Sequence, residues 1–481
     1  MAEEKTEGQL LAEKLGFKIT NAWEKVSNED AKTIAAFANR YKAFLNAGKT
    51  EREVTALTLE RVRSAGFIDI EQSLASKEQF VPGTKVYHNI HGKALNLAIL
   101  GKRPLTEGAV IVGAHLDSPR IDLKTNPLYE DTDFVLLDTH YYGGIKKWQW
   151  PTVPLALHGV IFGKDGEKKT ICIGEEEEDP VFVITDLLPH LSRDFDQKKM
   201  SEYITGEELD ILAGSAPLRD EKATDKVKLN LLRILNEKYG ITEASFASAE
   251  IEAVPAHRAR DVGFDRSMIG AYGHDDKCCA FASIEAILTI ADREEAPERT
   301  VVCVLTDKEE IGSMGNTGAE ARSFEDFMAY LIAKTTDGSG DLALRRALGH
   351  SAMLSSDVNA AFDPNFPTVF DKKTCSYLGR GIAISKYTGG GGKYGASDAN
   401  AEFLHHVLKI FDQNGVQWQY GNLGKVDKGG GGTIALHFAR LGMDVLDCGI
   451  PVLSMHSPFE LISKIDLWIT YKGYLAFLQN S

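Results

Sequence analysis

Two short apolar runs, Ala109-Val-Ile-Val-Gly-Ala114 and Val301-Val-Cys-Val-Leu-Thr306, stop directly before side chains suited to a metal. Continuous runs of this length are expected of strands covered by helices on both faces. In open α/β sheets, functional groups gather beyond the carboxyl ends of the strands. His115 and Asp117 follow the first run, and Glu309 and Glu310 follow the second. Three further segments add Asp275 in Gly273-His-Asp-Asp-Lys277, Asp357 in Ser355-Ser-Asp357 and His456 in Met455-His-Ser457. Carboxylates and imidazoles in this proportion suit zinc, and a carboxylate shared by two ions is a usual way to hold a nucleophile for attack on an amide. The residue types outline a two-metal hydrolase site.

Each assignment has a structural competitor. Asp275 and Asp276 also suit a helix N-terminus, where the dipole favours carboxylates, ahead of the apolar positions Ala280, Ile284 and Leu288. Glu309-Glu310 also reads as a solvated charged pair. The buried run before it and Ile311-Gly312 after it favour the site. Most of the 13 histidines read as surface or hydrogen-bonded core imidazoles, and only His115 and His456 are set apart by their motifs. Cys278-Cys279 reads as packing within the helix that follows Asp275.

A chain of 481 residues is long for one compact domain, so two are expected. The net charge of −15, from 54 basic and 69 acidic residues, disfavours a nucleic-acid or anionic-membrane partner. The six cysteines show no Cys-x-x-Cys spacing and fit reduced thiols in the cytoplasm. The acidic start, Met1 to Gly8, lacks the apolar core of a secretory signal, and no apolar run approaches the roughly 20 residues of a membrane helix.

Along the chain, helical and strand patterns alternate. Ser27-Asn-Glu-Asp30 caps an expected helix whose Ile34, Phe37, Ala38, Tyr41 and Phe44 share one face, with Gly48 at its end. From Leu123 to Val254 the character changes: Pro127, Pro151, Pro154 and Pro180, the acidic run Glu175 to Asp179, and short alternating segments such as Val153 to Phe162. The expectation is an α/β domain formed by residues 1–122 and 255–481, split by a β-rich insertion at 123–254. The tracts Gly389-Gly-Gly-Gly-Lys393 and Gly429-Gly-Gly-Gly-Thr433 lack phosphate-loop spacing and read as flexible loops near the site.

The order His-x-Asp, Asp-Asp, Glu-Glu-x-Gly, Ser-x-Asp and Met-His-Ser resembles the M18 metallo-aminopeptidases, the family that includes aspartyl aminopeptidase. The resemblance covers nearly the whole chain, including Asp186-Leu-Leu-Pro-His-Leu191 and the closing stretch Leu446 to Ser457. It implies a three-layer zinc-exopeptidase catalytic domain with an inserted β-rich dimerisation domain. It also implies two Zn2+ per subunit, with Asp275 bridging, His115 and Asp357 completing one ion, and Glu310 and His456 the other. Glu309 becomes the general base, and Asp117 orients His115.

Peptides are the expected substrates, handled by a closed homo-oligomer, a dodecamer in the family, in which His190 reaches a neighbour's active site. A domain-core histidine is the competing reading of His190. Acidic-preferring members place a lysine in the first-residue pocket, and Lys386 aligns with it, Lys393 being the second choice and a solvated loop lysine the competitor. The glycine tracts depart from the commoner family sequences around that pocket, so the preferred residue stays open. A co-catalytic zinc deacylase of N-acyl amino acids, and a catalytically silent assembly or cargo protein on the same scaffold, are the alternatives.

Overall fold

The computed structural model describes residues 5–335 and 340–481, so Met1 to Glu4 of the acidic start lie outside the described residues. A nine-stranded sheet organises the chain. Its order is Ile68–Asp69, Lys85–Ile90, Ala94–Ile99, Val301–Thr306, Val110–His115, Ala352–Ser355, Asp444–Gly449, Ile382–Ser385 and Trp418–Tyr420. Every residue of Val110–His115 and of Val301–Thr306 is buried. Successive side chains of a strand point to opposite faces. Val110 and Val112 accordingly join one core with Phe37, Phe281 and Phe477, while Ile111 joins another with Phe327, Leu331 and Phe438. Helices therefore cover both faces, which makes three layers.

The helix Asn28–Ala47 forms as its caps dictate: the Ser27 side chain accepts the Asp30 N–H at 3.1 Å, and the chain turns out at Gly48. Its buried stripe packs against His274–Ala291, where Phe281 meets Phe37, Tyr41 and Phe44 at ring separations of 5.3, 5.2 and 5.2 Å. Removing such a ring costs about 3–5 kcal/mol.

Register brings the strand ends into line. In the parallel ladders His115 pairs with Thr306 and Gly113 with Ser355, so the segments carrying Asp117, Glu309 and Asp357 all leave the sheet at its carboxyl edge. A five-stranded sheet, Arg260–Val262, Met268–Ala271, Glu460–Ser463, Pro451–Leu453 and Asn359–Ala360, gathers the remaining pieces. It holds the chain just before Asp275, just after Asp357, and on both sides of His456.

Residues between these segments build a separate antiparallel sheet of six strands: Lys168–Ile173, Leu155–Phe162, Glu250–Pro255, Arg120–Asp131, Phe134–Tyr142 and Ile211–Gly214. It has its own core, including Ile121, Trp150, Ile161, Ile211 and Phe246, with Leu231 and Leu235 of the helix Lys226–Tyr239 packed against it. All six cysteines are free. Among the described residues no helix is long and apolar enough to cross a membrane.

Candidate metal centre

His115, Asp275 and Asp357 offer ligand atoms that lie within 4.8 Å of one another, and so do Asp275, Glu310 and His456. The two groups share Asp275. Its Oδ1 lies 3.3 Å from His115 Nε2 and its Oδ2 3.1 Å from His456 Nε2. His456 Nε2 is also 3.5 Å from Glu310 Oε2. The five side chains expected to bind metal thus come from five segments to one place.

Both imidazoles are held with the same nitrogen facing inward. His115 Nδ1 faces the Asp117 backbone carbonyl at 3.0 Å, and His456 Nδ1 faces the Gly144 carbonyl at 2.9 Å. A carbonyl only accepts, so each Nδ1 carries a hydrogen and each Nε2 is the atom turned to the cluster, where it gives a cation its lone pair once its own proton leaves. His115 Nε2, Asp275 Oδ1 and Glu310 Oε1 are buried with no hydrogen-bond partner. Buried polar atoms of this kind need an explanation, and a cation between them supplies one. The donor set, imidazole nitrogen and carboxylate oxygen, fits zinc.

Electrostatics point the same way. Burial and the Asp275 charge push the Glu310 carboxyl well above its usual range; burial and Asp276 do the same to Asp357. Burial lifts Glu309 to about 7 against the pull of His115. Burial works against Asp275 too, yet His115 and His456 hold it below the usual carboxylate range. Carboxylates this crowded and this deep repel one another, and divalent cations relieve the repulsion.

The second tier explains why the loops sit still. Glu460, in the strand after His456, accepts the Asp275 N–H at 3.0 Å and the His456 N–H at 2.7 Å. Ser118 donates to the Asp275 carbonyl at 2.5 Å and accepts from the fully buried Lys277 ammonium at 2.5 Å. Gly449 admits no side chain, because a Cβ there would lie 1.9 Å from the Asp357 carbonyl oxygen. Tyr142, on the six-stranded sheet, donates to Asp117 at 2.9 Å. Sequence reading did not single out Glu460, Tyr142 or Gly144. Glu460 lies four residues after a motif histidine, a signal that was there to use; Tyr142 and Gly144 carry none.

A cavity of about 440 Å³ opens beside the cluster, and its lining includes Glu309, Glu310, Asp357, both glycine tracts, Lys393 and Lys425. Lys386 is not among its lining residues. Its ammonium lies 2.7 Å from Asp398 Oδ1, while Lys393 takes Asp398 Oδ2 at 3.0 Å and sits 4.0 Å above the Tyr387 ring. His190 is exposed on the other sheet's connecting segment and is likewise absent from the cavity lining.

Residues 44–478 match the family model described as aminopeptidase I zinc metalloprotease (M18). A probable M18 family aminopeptidase 1 from Clostridium acetobutylicum is 50% identical over 460 residues, 96% of this chain and 98% of that protein. The crystal structure of an M18 aminopeptidase from Thermotoga maritima superposes with a TM-score of 0.91 at 43% identity, over 97% of this chain and 100% of the other. That of aminopeptidase I from Clostridium acetobutylicum gives 0.89 at 46% identity, with the same coverage.

Proposed function

The chain belongs to the M18 family of aminopeptidases, which are zinc metalloproteases, and from that premise we propose how its residues divide the work. His115 and Asp357 would hold one zinc ion, Glu310 and His456 would hold a second, and Asp275 would serve both. The observation that carries this reading is the pair of inward-facing Nε2 atoms on either side of one carboxylate, each fixed by a backbone carbonyl behind it.

Zinc, when bound, polarises a peptide carbonyl and lowers the pKa of water to about 7. Glu309 takes the proton from the attacking water and passes it to the leaving amine. Asp117 is fully buried; it orients His115 and fixes the turn that carries Glu309 and Glu310. The cavity beside the cluster receives the first side chain, with Lys393 and Lys425 in its wall. Lys386 contributes to a preference for acidic first residues to the extent that Asp398 releases it.

The family match supports the aminopeptidase reading and neither the deacylase nor the silent assembly protein. A peptide with a free amine and its N-acetylated form test this directly. Mass spectrometry should show loss of one residue from the first only; cleavage of the acetylated form alone would establish the deacylase.

We place the enzyme in the cytoplasm as a closed homo-oligomer, a dodecamer as the family resemblance implies, with residues 123–254 as the oligomerisation domain. Val181, Leu188, Leu191 and Met200 on its connecting segment are 48–66% exposed, which supports a covered face. His190 of the same segment reaches a neighbouring subunit's substrate in that assembly. A mass of 52.8 kDa, the single chain, in light scattering at micromolar concentration would remove the assembly.

A further inference from the structure

Away from the metal centre, a second set of ligand-type side chains meets where the helix Glu51–Ser64 abuts the six-stranded sheet. Glu53, His158 and Cys172 offer ligand atoms within 4.8 Å of one another. His158 lies in Leu155–Phe162 and Cys172 in Lys168–Ile173, directly opposite in the antiparallel ladder, so both side chains share one face. His158 is 2% exposed and Cys172 is open to solvent.

Two of the three groups are held in place before any ligand arrives, and strand pairing sets Cys172 beside them. Glu53 is the third residue of its helix, and its Oε2 accepts the Lys49 and Thr50 N–H groups at 2.9 and 3.1 Å as part of a capping box. That leaves Oε1, which lies 2.7 Å from His158 Nδ1. His158 Nε2 lies 3.1 Å from Glu175 Oε1, and Glu175 is anchored by the Lys49 ammonium. One imidazole nitrogen therefore faces a candidate ligand while the other has a carboxylate behind it. This is the arrangement that orients histidine on a metal.

We propose that Glu53, His158 and Cys172 form a second divalent-cation site, separate from the catalytic centre, selective for thiophilic ions such as zinc. The ion takes Nδ1, the thiolate sulfur and Glu53 Oε1, and a water completes the tetrahedron. Binding releases the Cys172 thiol proton and the Nδ1 proton to solvent, while Nε2–H continues to donate to Glu175. The bound ion clips the capped helix of the main domain to two strands of the other sheet. Cys172 provides the way in.

Cadmium is the probe, because only a thiolate ligand gives its ultraviolet charge-transfer band. Titrated into the full-length enzyme carrying only its catalytic zinc, about one equivalent should raise that band and protect Cys172 from alkylation by iodoacetamide. In Cys172→Ser the band should disappear while peptide cleavage stays within about twofold of wild type, since Cys172 lies outside the catalytic cluster. A wild-type enzyme with no band, or a band of equal size in Cys172→Ser, would overturn the proposal. So would unchanged alkylation of Cys172 at saturating cadmium, a readout that needs no variant.

Discussion

Asp117 accepts the backbone N–H of Glu309 on Oδ1 and that of Glu310 on Oδ2, each at 3.1 Å. One carboxylate thereby fixes the turn that carries both glutamates, and its backbone carbonyl also sets the His115 tautomer. Asp117→Asn keeps the size but puts an amide donor against one of those N–H groups. Metal affinity or kcat should fall about 10–100-fold, the usual effect of losing a partner behind a ligand. Competition with a chromogenic chelator would measure the affinity, and wild-type values for both quantities would show that the turn needs no such clamp.

Glu309→Gln removes the proton carrier without removing a ligand. The variant should retain its zinc and lose at least about 10²-fold in kcat, with KM little changed. Activity within threefold of wild type on the same peptide would take Glu309 out of that role.

The strand-end motifs were legible because side-chain chemistry changes abruptly at one point in the sequence, as between Ala114 and His115, while burial continues unbroken. Register then did the rest: Thr306 beside His115 and Ser355 beside Gly113 made three separate segments converge. The Tyr142–Asp117 contact was not legible, because it joins two sheets and no local pattern encodes how they face each other. The same holds for Lys386, whose alignment with a pocket lysine says nothing of Asp398 twelve residues on. Pairing between loops is decided by backbone course through the glycine tracts, where sequence constrains least.

His274 should make stability depend on pH. Its Nε2 faces the Ile269 carbonyl at 3.1 Å and so carries the hydrogen, leaving Nδ1 to accept from the Tyr41 hydroxyl at 2.8 Å. Burial, then the charge of Lys277, pulls its pKa down to about 3 against the Ile269 carbonyl. The unfolded imidazole titrates near 6.5, so the folded state binds fewer protons between those values. Its contribution is complete above about pH 6.5 and shrinks by roughly 1.4 kcal/mol per unit as pH falls toward 3. Urea unfolding of wild type and His274→Gln at pH 7 and pH 5 should therefore show a smaller gap at pH 5. An equal gap would mean that His274 takes up protons in the fold as it does in the unfolded chain.

Substrate preference turns on Asp398, which engages the Lys386 and Lys393 ammonium groups at 2.7 and 3.0 Å. Asp398→Asn should free both and raise kcat/KM for N-terminal Asp relative to Leu by about two- to fivefold, the scale of an exposed ion pair. Lys386→Met in that background should reverse the gain. A ratio that neither substitution moves would place the first side chain elsewhere in the cavity.

Zinc content per chain bears most directly on whether Asp275 serves two ions at once. Elemental analysis after loading and gel filtration, done throughout in the Cys172→Ser background so that the Glu53–His158–Cys172 site adds nothing, should give about two zinc ions per chain, since the two ligand groups are complete. Asp275→Ala should lower occupancy of both, to well under one per chain, because the shared carboxylate is a ligand at each position. About two zinc ions retained by Asp275→Ala in that background, or about one without the Asp275 substitution, would contradict a centre built around that residue.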